Sequence, residues 1–132
     1  MIKYWEKFNG GPTPPPEKRV HVTLSAKGVI LLNRNAFKLL GSPRAACLYF
    51  NKADSKIGVS SAHPQFAGAF PVRDKGHYFL INAIPFCRHY GIRVDRTQQF
   101  VRPDIDNDGI LHLDLTTTVT VGRVTRKRGA RP

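Results

Sequence analysis

Residues 27–41 read KGVILLNRNAFKLLG. Lys27-Gly28 is a turn signal, because glycine adopts backbone conformations closed to other residues. Residues 29–32 form an unbroken apolar run, the pattern of a strand covered on both faces. Asn33 can cap a helix, since its side-chain oxygen accepts an orphan amide of the first turn. Ala36, Phe37, Leu39 and Leu40 follow as an apolar stripe at helical spacing. Gly41 suits the residue just past a helix end, and Ser42-Pro43 prevents continuation. The phrase returns at residues 75–91 as KGHYFLINAIPFCRHYG. Lys27-Gly28 precedes Lys75-Gly76 by 48 residues, and the offset has grown to 50 at Gly41 and Gly91. Asn33 corresponds to Asn82 and Phe37 to Phe86. An internal duplication of this kind implies two copies of one supersecondary unit.

Working outward, residues 18–25 (KRVHVTLS) alternate, with Val20, Val22 and Leu24 on one face. That is a half-buried strand. Residues 45–50 and 56–59 form a hairpin around 51–55. The first unit, 18–62, is therefore strand, strand, helix, strand, strand. Small residues and Pro64 mark a linker over 60–68. The second unit, 69–124, opens with a strand at 70–73. Its later part pairs 93–101 with 110–115 across 102–109, and 116–124 is one more β-rich stretch. A single ββαββ unit has too little core to stand alone. Two can cover each other, and closing the sheet removes edges that invite aggregation. The expected fold is mainly β with two short helices, a pseudo-twofold β-barrel built from two ββαββ repeats in one compact domain.

Residues 1–17 carry Tyr4, Trp5 and Phe8, then Pro12, Pro14, Pro15 and Pro16. They read as an aromatic arm on a stiff polyproline spacer. Residues 125–132, TRKRGARP, form a basic tail. Over the 132 residues, 21 Lys and Arg face 9 acids, a formal charge of +12. Such self-repulsion favours an anionic partner. The hydrophobic fraction of 41% marks a globular body. No apolar run approaches the roughly 18 residues of a membrane span, so no membrane partner is expected. Charges and prolines stand where a signal peptide needs an apolar core, so a cytoplasmic location is expected. Cys47 and Cys87, widely spaced in apolar company, read as buried thiols.

Asp104, Asp106, Asp108 and Gly109 match the start of a calcium loop. The twelfth position, which needs a bidentate Glu, is Leu115. Asn107-Asp108-Gly109 between two β-runs reads instead as a hairpin turn. His21, His63, His77, His89 and His112 have no metal-ligand spacing, and no nucleophile motif or Gly-rich phosphate loop is present. Neither an enzyme nor a cofactor or metal site is expected.

The segment from Val22 to Ser60, with GVILL, a short helix ending in Leu-Gly, ACLYF, a polar turn and IGV, resembles the swapped-hairpin repeat of the AbrB/MraZ-like (SpoVT/AbrB) family. That resemblance implies two units whose hairpins interleave into one barrel, as in the two-copy MraZ chains. It also implies a DNA-binding transcriptional regulator or antitoxin-like element. The family's basic helix positions fall on Lys38 and Arg88. The cations cluster by sequence as Lys18 with Arg19, Lys27 with Arg34 and Lys38, Arg73 with Lys75 and Arg88, and Arg93 with Arg96. Arg126, Lys127 and Arg128 add the tail. Lys27 and Lys75, and Lys38 and Arg88, recur in both copies. A pseudo-twofold would present them to the quasi-twofold phosphate array of duplex DNA. The expected partner is therefore double-stranded DNA. RNA, which the arm's aromatics could stack on, and a protein partner for the arm are the alternatives. Self-association is left open.

Overall fold

The computed structural model of this protein describes residues 19–121. The arm, the proline spacer and the basic tail lie outside the described residues. The order of elements is β1 (Val22–Leu24), β2 (Val29–Asn33), α1 (Arg34–Leu39), β3 (Ala45–Asn51), β4 (Lys56–Ala62), β5 (Phe70–Asp74), β6 (Tyr78–Asn82), α2 (Ile84–Tyr90), β7 (Gln98–Phe100), β8 (Asp104–Ile105), β9 (Leu111–Asp114) and β10 (Thr118–Thr120). The strands form one antiparallel sheet of ten, curled into a half barrel, in the order β10-β7-β1-β2-β6-β5-β3-β4-β9-β8. No described helix is long and apolar enough to cross a membrane.

The middle of that order is the β2–β6 pair. Its register joins Val29 to Asn82, Ile30 to Ile81, Leu31 to Leu80, Leu32 to Phe79 and Asn33 to Tyr78. Any antiparallel pair has a local dyad. Here it falls at Leu31–Leu80, and these two residues are 49 positions apart, the same offset that relates Asn33 to Asn82. Moving outward, β1 flanks β2 and β5 flanks β6, then β7 and β3, then β10 and β4. Strand β3 thus pairs with β5 of the second half, while β7 of the second half pairs with β1 of the first. Only the β9–β8 hairpin, added beyond β4, has no counterpart on the other side.

Strand β5 makes the bend. Phe70 and Pro71 pair with β3, whereas Val72, Arg73 and Asp74 pair with β6. The chain also ties the two ends of the sheet together. Strand β7 lies near one end and β8 at the other, yet only residues 101–103 separate them. So short a link spans at most about 14 Å. The Val101 amide donates to the Thr117 carbonyl at 3.1 Å, and the Leu115 amide to the Ser55 carbonyl at 2.9 Å.

The core is apolar throughout, and no polar or charged side chain is buried among the described residues. Val22, Leu24, Ile30, Leu32, Ile57, Val59, Ile81, Leu111 and Leu113 point inward from the strands, and Phe86 and Cys87 from α2. The unbroken apolar run at 29–32 predicts a strand covered on both faces. Burial instead alternates along β2, with Ile30 and Leu32 inside and Val29 and Leu31 half-buried. Helix α1 packs on the same face as Ile30 and Leu32, Phe37 stacking on the Phe79 that pairs with Leu32, so the opposite face of β2 stays only half covered. Phe37 and Phe86 are not equal counterparts either. Phe86 is buried, while Phe37 is half-buried and stacks on Phe79 with ring centroids 3.7 Å apart.

The first half follows its sequence pattern closely. Asn33 caps α1, its Oδ1 accepting from the Ala36 amide at 2.9 Å. Gly41 and Gly91 end the helices at φ of 90° and 66°. The hairpin at 45–62 forms with Asn51 opposite Lys56. The second half departs from expectation. The predicted pairing of 93–101 with 110–115 does not form. Strand β7 pairs with β10 instead, and the intervening residues fold as their own hairpin, β8–β9, docked on β4. The reason is local: Asn107-Asp108-Gly109 closes a tight turn, with Gly109 at φ 81°. Tight-turn chemistry pairs its immediate flanks and leaves β7 to seek another partner.

Candidate nucleic-acid interface

Both helices begin directly after the central strands, so each helix start is aimed across the β2–β6 seam at a turn of the other half. At the first junction the turn is that between β1 and β2. Ser25 builds it, its carbonyl accepting from the Gly28 amide at 3.0 Å and its Oγ from the Val29 amide at 3.1 Å. Gly28 sits at φ +96°, and a Cβ there would lie 3.2 Å from the Ile84 Cα, the first residue of α2. The α2 face carrying Phe86 and Cys87 is buried, which leaves Arg88 and His89 exposed. Lys27, Arg88 and Arg93 consequently border one cavity of about 200 Å³, walled by Leu24, Ile84 and Ile92. Arg88 in the last helical turn also complements the negative end of the helix dipole.

At the second junction the turn between β5 and β6 meets α1. Arg34, first residue of α1, donates from Nη2 to the Gly76 carbonyl at 2.9 Å. Its guanidinium carbon lies 5.7 Å from the centroid of the Phe79 ring, within cation–π range. Asp74 Oδ1 accepts from the Gly76 amide at 2.8 Å and shapes the turn that presents Lys75. Asn33 holds the other side of the helix start. Its Oδ1 also accepts from the His21 amide at 3.1 Å, and its Nδ2 donates to the Arg19 carbonyl at 2.7 Å. Asn35 donates to that same carbonyl at 2.9 Å.

Grouping the cations by sequence proximity is therefore corrected by the register. Lys27 stands with Arg88 and Arg93 rather than with Arg34, and Arg34 stands at the turn of Lys75. Lys38, Arg73 and Lys75 are exposed. Arg19 is half-buried just before β1. Lys18, Arg126, Lys127 and Arg128 lie outside the described residues. The ion pair formed between described residues joins His112 and Asp106. None of Lys27, Lys38, Arg73, Lys75, Arg88 and Arg93 is paired with a described carboxylate, so their charge faces solvent.

The acidic loop has a different role. Asp106 Oδ1 accepts from the Asp108 and Ile110 amides at 2.9 and 3.0 Å. Its Oδ2 lies 2.8 Å from His112 Nε2. The hydrogen bond from His112, then that from the Ile110 amide, hold the Asp106 carboxyl below its ordinary range. Asp114 is lowered likewise by the Thr116 hydroxyl and amide. Asp106 thus staples its own turn to β9. The motif at 104–109 was legible, but His112 as its partner was not, because that contact depends on the β8–β9 register. No group of three or more His, Cys, Asp or Glu among the described residues is arranged to hold a metal ion.

No family model, no characterised protein and no solved structure matches this chain.

Proposed function

We propose that the protein is an AbrB-like, swapped-hairpin DNA-binding protein, a cytoplasmic transcriptional regulator or antitoxin-like element that grips duplex DNA through cations on both sides of its pseudo-twofold. One observation carries the reading. The strand order is mirrored about Leu31–Leu80, and each side of that dyad has a turn-and-helix junction bearing exposed cations, Lys27, Arg88 and Arg93 on one side and Arg34 and Lys75 on the other. The exchange of β3 and β7 between the halves supports the interleaved-hairpin reading, and the net charge of +12 supports an anionic partner. Lysine and arginine at the junctions neutralise backbone phosphates, which sets position and orientation more than sequence preference.

The test is a binding titration against salt with duplex DNA, single-stranded DNA, RNA and heparin. With about five phosphates engaged, log K falls against log salt with a slope near −4.5. Lys38→Ala and Arg88→Ala remove exposed helical cations, so folding should be spared. Each should reduce the slope by about one and weaken all duplexes alike. Duplex binding no tighter than heparin overturns the reading, and tighter binding to RNA transfers it to the RNA alternative.

A further inference from the structure

The two junctions are equivalent in position but not in chemistry. On one side, Lys27, Arg88 and Arg93 border a common cavity of about 200 Å³, a volume that accommodates one phosphate group. Counting from Gly41 and Gly91, the counterpart of Arg93 is Pro43, which is buried and carries no charge. On the other side the cation contributed by the helix start is Arg34, beside the turn that bears Lys75. Its guanidinium is occupied by the Gly76 carbonyl and lies over Phe79. Counting from Asn33 and Asn82, its counterpart is Ala83, an apolar residue in the core. The helix starts differ in detail too: Asn33 is the cap of α1 and its Oδ1 accepts from the Ala36 amide at 2.9 Å, whereas Asn82 stands one residue before the cap Ala83 and its Oδ1 accepts from the Ile84 amide at 3.2 Å. The β8–β9 hairpin further extends the sheet beyond β4 only.

A homodimer of identical units presents identical halves to a duplex, and its site mirrors that symmetry. One chain carrying two diverged halves is under no such constraint. Resting on the DNA-binding reading above, we infer that the protein reads an asymmetric duplex site in a single orientation, one end being gripped by a backbone phosphate seated between Lys27, Arg88 and Arg93. Arg34 on the opposite side acts as a positioning residue that holds the turn bearing Lys75, and the phosphate contacts there come from exposed Lys38, Arg73 and Lys75. Guanidinium groups bind phosphate bidentately whereas ammonium groups act as point charges, so the side on which two arginines and a lysine border one cavity holds the tighter register.

The experiment is selection of duplexes from a random library with the full chain, followed by hydroxyl-radical footprinting on the enriched sequence with wild type, Arg93→Lys and Lys75→Arg. An enriched consensus without twofold symmetry, in which Arg93→Lys weakens protection at one end only, supports the inference. Lys75→Arg should then strengthen or leave unchanged the opposite end. A palindromic consensus, or protection lost equally at both ends in Arg93→Lys, overturns it while leaving duplex binding in place. Duplex bound with no enriched sequence also overturns it. Failure to bind duplex above heparin overturns the DNA-binding reading itself, and the inference with it.

Discussion

The turn glycines Gly28 and Gly76 allow the helix–turn contact to be weighed by itself. Both sit in the left-handed region, at φ +96° and +92°. Replacing either by Ala therefore incurs a similar conformational cost, about 1–2 kcal/mol. Restricting the unfolded chain returns roughly 0.4–1 kcal/mol. Around Gly76 a new Cβ meets nothing within 4 Å. Gly76→Ala should then lose about 0.5–1.5 kcal/mol in total. At Gly28 the same Cβ meets the Ile84 Cα at 3.2 Å and its Cγ1 at 3.4 Å. The Cα cannot rotate away, so the start of α2 must shift by a few tenths of an ångström over a packed core. Overpacking of that kind adds about 1–3 kcal/mol, and Gly28→Ala should lose about 2–4 kcal/mol overall. Urea denaturation measures both, with unchanged m-values showing that the midpoints report stability. Gly41→Ala, at φ +90° with nothing within 4 Å, is the control and should behave like Gly76→Ala. Equal losses at Gly28 and Gly76, or a larger loss at Gly76, would refute the close approach of α2 to the first turn.

Two further outcomes follow from the described side chains. Burial pushes the Cys87 thiol up, and the thiolate is the reactive form, so thiol reagents at neutral pH should modify half-buried Cys47 first and Cys87 only as the protein opens; immediate labelling of both in the native protein would contradict the packing of α2. Asp106 has its carboxyl lowered by His112 and by the Ile110 amide, so its contribution is complete above its unfolded pKa of about 3.9 and is lost as pH falls through the lower folded value. The stability margin of wild type over Asp106→Asn should be full at neutral pH and shrink below about pH 4, and a margin that stays constant through the acid range would remove Asp106 as the staple of its loop.

Local chemistry was legible in the sequence, and long-range strand pairing was not. Asn33 as a cap, Gly41 and Gly91 as helix ends, and the hairpin of 45–50 with 56–59 each depend on a few neighbouring residues. The β7–β10 pairing depends on residues about 20 positions apart with a complete hairpin between them, and no periodicity marks it. The Asp106–His112 contact was hidden for the same reason. Burial of β2 was misjudged because an apolar run does not distinguish a strand covered on both faces from one whose second face is only half covered.

The regrouping of the cations has one cause. In an antiparallel pair with its dyad at Leu31–Leu80, the end of β2 lies beside the start of β6, and the end of β6 beside the start of β2. A helix that begins where β2 ends must therefore meet the turn that precedes β6, and a helix that begins where β6 ends must meet the turn that precedes β2. Arg34 against Gly76 is the first of these contacts and Ile84 against Gly28 the second. They are made by different chemistry, a guanidinium on a carbonyl in one case and a hydrogen-only Cα under a helix start in the other. A slip of two residues in the β2–β6 register would move each turn by about 6.6 Å relative to the opposing strand, and neither contact would survive it. Two unlike contacts requiring the same register are stronger support for the position of the dyad than the repeated Lys-Gly and Asn positions alone. They are also why the cations of one half stand beside the turn of the other.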